Sequence, residues 1–378
     1  MIVQRGAVVL LLASLLAGCS SDKAQLSPAK LVNFVPSAKF EVRWEQSVGK
    51  MGNGVLQPAV TQDSVLAANS SGIIQRFDKS SGKRLWRIDS HALISGGVGA
   101  ADGLVLVGGQ KGDVAAFEES NGQLRWKSKV SSEVLSAPKL VDGVVVVRTG
   151  DGRIAGLDSQ SGKRLWLYER ATPALVARSN AGVTIRNGIV YAGFAAGKMA
   201  AIGLHNGVIV WESSVSQPRG NTELERVSDI TSLPIIDDSQ VCAVAFQGRL
   251  ACFDAEQGGS LWTRDLSSDK GLTMSRKYLF LSDTDGAVLA LDKISGSSYW
   301  KNEQLSLRKT TAPLALADYL LVADFEGYLH VLNRDDGRFM ARFKTDGSAI
   351  RSAPVVSDDG FVVQTEDGSL YSLAIHSK

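Results

Sequence analysis

Gly152–Trp166 reads GRIAGLDSQSGKRLW, and the chain repeats this pattern along its length. GIIQRFDKSSGKRLW starts at Gly72, GDVAAFEESNGQLRW at Gly112, GKMAAIGLHNGVIVW at Gly197, GRLACFDAEQGGSLW at Gly248 and GAVLALDKISGSSYW at Gly286. A seventh copy, GYLHVLNRDDGRFMA from Gly327, ends in Ala341 where the others have tryptophan; an eighth, GSLYSLAIHSK from Gly368, runs to Lys378. The second glycine lies ten residues after the first in every full copy. Six of the chain's seven tryptophans close the pattern, fourteen residues after that first glycine.

Successive first glycines are 38 to 51 residues apart, a period that marks solenoids, propellers or arrays. Each copy follows a β-rich run such as VDGVVVVRTG, and its first glycine predicts a tight two-residue hairpin, as at Asp151-Gly152, Asp285-Gly286 and Asp367-Gly368. Asp-x-x-Ser/Asn-Gly then predicts a second turn, with glycine where a positive φ is needed. An Ala-Pro pair (Ala137-Pro138, Ala312-Pro313, Ala353-Pro354) marks an earlier strand. Four antiparallel strands and no helix make one propeller blade. The last copy stops short of its fourth strand, while Trp44 lies 42 residues before Trp86 with only a fourth strand around it. The expected fold is therefore all-β: an eight-bladed propeller over residues 40–378, closed by the N-terminal strand, which hides the edges an open array exposes.

Trp44, Trp86, Trp126, Trp166, Trp211, Trp262 and Trp300 are expected at the seams between blades, since an indole is mostly apolar with one N–H donor. Asp78, Asp158, Asp254 and Asp292 recur with the blade, with Glu118 and Asn333 in the same slot, and read as turn-formers rather than general acids. Cys242 and Cys252 flank Gln247-Gly248. A two-residue turn there gives them unequal parity and opposite faces, so two free thiols are expected. The four histidines are dispersed without metal-ligand spacing, and neither a nucleophile elbow nor a phosphate loop is present. No cofactor is expected.

Residues 1–18 carry Arg5 and then the apolar run Gly6–Ala17, with the proportions of a signal peptide. Leu16-Ala17-Gly18-Cys19 resembles the lipobox of bacterial lipoproteins, which implies cleavage before Cys19 and lipidation of its thiol. Ser20 in the next position implies sorting to the outer membrane. Residues 19–39 read as the lipidated cysteine and a flexible tether. The net charge of +2 falls to +1 without Arg5, which leaves no electrostatic footprint for nucleic acid.

Function on a repeat scaffold tends to sit where the repeat is interrupted. Two consecutive connections are expanded, at Tyr168–Ser179 and at Ser214–Thr231 (SVSQPRGNTELERVSDIT), and successive blades place such loops side by side. They gather Arg170, Arg178, Arg219, Glu223, Glu225, Arg226 and Asp229 with Tyr168 and Leu175, the composition of a protein-docking patch. The alternative is two solvated insertions with no partner.

The Gly/Asp/Trp repeat resembles that of pyrroloquinoline-quinone-dependent dehydrogenases. That likeness covers the scaffold and lacks the adjacent cysteine pair, so a quinone- or other ligand-binding propeller is the runner-up. The lipobox, the eight repeats and the segments RVSDITSLP, DFEGYLHVLNRDDGRF and EDGSLYSL together resemble the BamB family, lipoproteins of the outer-membrane β-barrel assembly machinery. The resemblance implies a non-enzymatic accessory subunit on the periplasmic face of the outer membrane. It implies docking on periplasmic modules of the insertase BamA, indirect contact with the other lipoproteins of the complex, and unfolded outer-membrane proteins as further candidate partners. The family's Leu-x-Leu-Arg falls on Leu175-Val176-Ala177-Arg178, with Ala177 replacing a leucine; its Ser-Asp-x-Asp falls on Ser228-Asp229-Ile230-Thr231, with Thr231 replacing an acid. Leu175, Arg178 and Asp229, with Arg226 and Glu225, are the implied partner-binding residues.

Overall fold

The computed structural model describes residues 27–52 and 54–378; the signal segment and Cys19 lie outside the described residues. Eight four-stranded antiparallel sheets follow one another along the chain. Blade 3 shows the construction, with strands Lys139–Val141, Val144–Arg148, Ile154–Asp158 and Arg164–Tyr168 from the inside outward. The two middle strands are buried on both faces and correspondingly apolar, whereas along the outer strand only Trp166 is buried. The eighth sheet pairs Ser369–Ser377 with Ala38–Ser47, so the N-terminal strand supplies its outer edge as the repeat predicts.

The core is divided among the seams. Eight separate hydrophobic clusters each join two neighbouring blades, including one between blades 7 and 8 and one between blades 8 and 1. Each tryptophan acts as a latch within such a seam. Trp126 Nε1 donates to Ser159 O at 2.8 Å, in the next blade's outer turn, and Trp166 donates to Leu204 O at 2.7 Å. Trp44, Trp86, Trp211, Trp262 and Trp300 donate to the equivalent carbonyls of Lys79, Glu119, Ala255, Lys293 and Arg334. The second glycine of the repeat has two reasons to lack a side chain. At Gly162, φ is +69°, and a Cβ would lie 2.5 Å from the Trp126 ring.

This geometry accounts for Ala341. Its slot in blade 7 faces blade 8, whose third and outer strands are the two ends of the fold and share no turn to receive an indole. Ala341 instead packs in one cluster with Ala38, beside the incoming N-terminal segment.

Two expectations are corrected. The first-glycine hairpins are not two-residue turns: Thr149 N–H donates to Arg153 O, Ala245 N–H to Arg249 O and Asp283 N–H to Ala287 O, leaving three residues in each loop. The two-residue turns join the first and second strands instead, as at Asp142-Gly143, where φ is +48° and +78°. The extra loop residue shifts the register by one, so Cys242 pairs directly with Cys252. Their Cα atoms are 4.1 Å apart and the two form a disulfide, not the free thiols expected from the two-residue turn. Both cysteines are fully buried.

Residues 29–37, read as part of the tether, lie against blade 7. Ala29 N–H donates to Ser306 O at 2.9 Å, Ser37 N–H donates to Met340 O at 3.0 Å, and Phe34 stacks on Phe339 with ring centroids 5.4 Å apart.

Candidate partner-docking face

The two expanded connections are loop A, residues 169–183 between blades 3 and 4, and loop B, residues 215–234 between blades 4 and 5. Their sequences resist regular pairing: Pro173 and Pro218 lack an N–H, and neither stretch alternates. Their backbone groups are satisfied by side chains. In loop B, Thr222 Oγ1 accepts the Glu225 N–H at 3.2 Å, and Glu225 Oε2 accepts the N–H groups of Asn221 and Thr222 at 2.8 and 3.1 Å. This reciprocal capping box holds one helical turn. The Asn221 N–H, followed by that of Thr222, holds the Glu225 carboxyl below its ordinary range. Arg226 Nε donates to Gly220 O at 3.1 Å across the same turn, and the side chain stays half exposed.

Asp229 joins the loops. Its Oδ2 accepts the Ala177 N–H of loop A at 2.7 Å, and its Oδ1 accepts the Ala196 N–H of the short 3-10 turn Ala195–Gly197 at 2.9 Å. A second tie runs from Ser179 Oγ to Thr231 O at 3.2 Å. Asp229 is itself buried, 4% exposed, with both oxygens engaged inside the chain. It therefore shapes the face and does not project from it.

Loop A presents the outward groups. Leu175 and Val176 are each 40% exposed, and the Arg178 side chain is 66% exposed, with Nη2 3.0 Å from Glu133 Oε2 of the preceding connection. Loop B adds Leu224, 72% exposed. Arg178 also borders the mouth of the central channel, a cavity of 570 Å³ whose lining includes Lys139 and Arg351. Tyr168 and Arg170 are turned to packing: Tyr168 meets the Phe194 ring at 5.7 Å, and Arg170 lies over that ring while pairing with Glu212. Arg219 lies at the base of loop B, beside Asp265.

Two contributors escaped the sequence. Glu133 comes from an unexpanded connection and carries no local signal. Arg148 lies beneath loop A, 5.6 Å from the Phe194 ring, donates to Ala181 O at 3.1 Å and lines a small cavity of 70 Å³. Burial pushes its guanidinium down to about 10 while the nearby Asp229 carboxylate opposes the shift. A charge ending the apolar run VVVV was a visible anomaly.

Nothing in this face is arranged as nucleophile, base and oxyanion donors, and no cluster of three or more metal-ligating side chains occurs among the described residues. Residues 70–302 match the family model described as outer membrane protein assembly factor BamB. A Pseudomonas aeruginosa protein named outer membrane protein assembly factor BamB is 44% identical over 380 aligned residues, spanning 99% of this chain and 100% of that protein. The chain belongs to the BamB family.

The crystal structure of BamB from Moraxella catarrhalis superposes with a TM-score of 0.83 at 28% identity, covering 89% of this chain and 100% of that one. A quinohemoprotein alcohol dehydrogenase from Comamonas testosteroni superposes with a TM-score of 0.74, but at 12% identity over 88% of this chain and 76% of that one. The second likeness shows the fold alone. BamB membership sets this ring among non-enzymatic assembly factors and apart from the dehydrogenases that share its architecture.

Proposed function

We propose that this chain is an accessory subunit of the outer-membrane protein assembly machinery, anchored by lipid on Cys19 at the periplasmic side of the outer membrane. In this reading it docks on a BamA-type insertase through loops A and B and contributes no chemistry of its own. The observation that carries the docking role is the Asp229 tie, because it joins two loops of different blades into one preorganised surface. Preorganisation lowers the ordering cost of binding. On that surface Leu175 supplies an apolar anchor and Arg178 a planar fork of donors for carboxylates or backbone carbonyls. Arg226 lies at the rim, and Glu225 holds the loop B turn on which it sits. The other lipoproteins of the complex are reached through the insertase, and unfolded outer-membrane proteins are further candidate partners.

The test is capture of the insertase's purified periplasmic region by the Arg178→Glu variant. The reversal sets a carboxylate beside Glu133 and removes the fork, so binding should weaken by about 2–5 kcal/mol if Arg178 is buried at the interface. Glu118→Arg, in the outer turn of blade 2, is the control and should bind as the unmodified chain does. Wild-type capture by a folded Arg178→Glu protein would place the docking surface elsewhere.

A further inference from the structure

The N-terminal segment is fastened to blade 7 by more than its own backbone. Arg308, 3% exposed, joins blades 6 and 7; its guanidinium donates to Asp324 Oδ2 at 2.7 Å, to Glu326, and to the carbonyl of Ala29 at 3.1 Å. Arg342 donates to His330 Nδ1 at 3.2 Å and to the carbonyl of Val32 at 3.0 Å. Its guanidinium also lies beside the stacked pair of Phe34 and Phe339, 5.1 Å from the first ring and 5.4 Å from the second. Asp324, fully buried, accepts from Arg308 and from His330, and takes the backbone N–H groups of Glu326 and Tyr328 as well. Buried charges are tolerated when each is paired and hydrogen-bonded. Here the carbonyl of Ala29 joins two carboxylates around Arg308, and that of Val32 gives Arg342 a second acceptor beside His330, leaving only the buried Nη2 of that cation without one among the described residues.

We propose that Ala29–Ser37 is a strap that fixes which edge of the ring faces the membrane. The proposal rests on the lipid anchor at Cys19. Ten residues from Cys19 to Ala29 span at most about 35 Å, whereas a tether free up to Ala38 would reach about 65 Å. The strap therefore nearly halves the reach and moves the point of attachment from blade 8 to the junction of blades 6 and 7. Blade 7 is four blades from blade 3 in a ring of eight. The edge at blades 6 and 7 is accordingly held against the lipid surface, and loops A and B, beyond blades 3 and 4, are carried to the far side. The anchor thus sets an orientation as well as a location, and it leaves the docking face open.

The experiment uses the full lipidated chain on phosphatidylethanolamine–phosphatidylglycerol vesicles that carry a headgroup quencher. A fluorophore is placed at Asp335→Cys in the outer turn of blade 7, or at Gln160→Cys in the equivalent turn of blade 3. The native disulfide leaves no competing thiol at Cys242 or Cys252. Quenching at residue 335 should exceed that at residue 160 several-fold, and replacing residues 29–36 by a Gly-Ser sequence of equal length should remove the difference. Equal quenching in a protein that floats with the vesicles overturns the orientation while the anchor stands. Failure to float overturns the anchor and the orientation together. The strap is also read without lipid, on the soluble Cys19→Ala chain. Phe34→Ser should speed tryptic cleavage after Lys30 about tenfold, and cleavage equally fast without that substitution overturns the proposal.

Discussion

The Asp229 carboxylate accepts the Ala177 backbone N–H at 2.7 Å, so a residue of loop B fixes the backbone of loop A two positions from Leu175 and one from Arg178. Asp229→Ala would leave the N–H groups of Ala177 and Ala196 without their acceptor. Losing such a bond to a buried charged group costs about 1.5–3 kcal/mol. With two such bonds lost, global unfolding should move by no more than about twice that, while trypsin cleaves loop A after Arg178 much faster. Capture of the insertase should weaken although Asp229 need not touch it. Unchanged protease resistance would show that the loops hold together by other means.

The tryptophan latches predict a graded series. Trp126→Phe keeps most of the apolar contact and removes the donor to Ser159 O, a loss of about 1–3 kcal/mol. Gly162→Ala should cost more, since it meets both the positive φ and the indole face. Ala341→Trp should destabilise as well, because the ring has no turn in blade 8 to receive it and Ala38 already packs in the same cluster. Urea midpoints of the three variants test the order, and a stabilising Ala341→Trp would contradict the account of that slot.

The disulfide closes a short loop across one antiparallel pair in blade 5. A loop of this length constrains the unfolded chain by up to about 3 kcal/mol. Non-reducing peptide mapping should find Cys242 joined to Cys252, and Cys242→Ala with Cys252→Ala should lower stability by up to that amount without changing the fold. Free thiols in the mapped protein would overturn the cross-link.

Acid should loosen the ring at two marked carboxylates. Burial works to raise the Asp237 carboxyl, but the Lys293 ammonium at 2.6 Å and the backbone N–H groups of Ser239 and Gln240 bring it down to about 2. Asp78 is held at about 2 by the hydroxyls of Ser81 and Ser80 and by the Ser81 N–H. Folded values below the ordinary carboxylate range of about 4 give stability that is complete above that range and is lost as pH falls toward about 2. Asp237 also ties blade 5 to the blade 6 turn that receives Trp262. Asp237→Asn should flatten part of the decline in urea midpoint between pH 4 and pH 2; an identical pH profile would remove Asp237 from the explanation.

The ring was legible because its determinants are local and periodic: a glycine and a tryptophan ten and fourteen residues on, in copy after copy. The inserts were legible for the same reason, as departures from the period. Side-chain direction was harder. One extra residue in a turn moves every partner by one and exchanges the faces of a strand, which is why the cysteine pair was misjudged. Asp229 reads as a partner-binding residue through the family's Ser-Asp-x-Asp motif, yet the N–H groups it serves come from residues 177 and 196, far off in sequence. The strap had no pattern to display; Arg308 and Arg342, some 300 residues away, give it a place.

The eighth blade pairs Ala38 with Ser377 and Ser47 with Ser369. The strand nearest the start of the chain thus has to wait for the strand nearest its end, and no earlier stretch can substitute for it. While the chain is being delivered, seven blades can form from local hairpins, but the final seams stay open and two sheet edges remain unpaired. Closure across more than 300 residues is the pairing of longest sequence separation in the ring, the kind of contact that topology makes slow to form. A shortened chain would be left as an open horseshoe with adhesive edges, recognisable to the proteases and chaperones of its compartment.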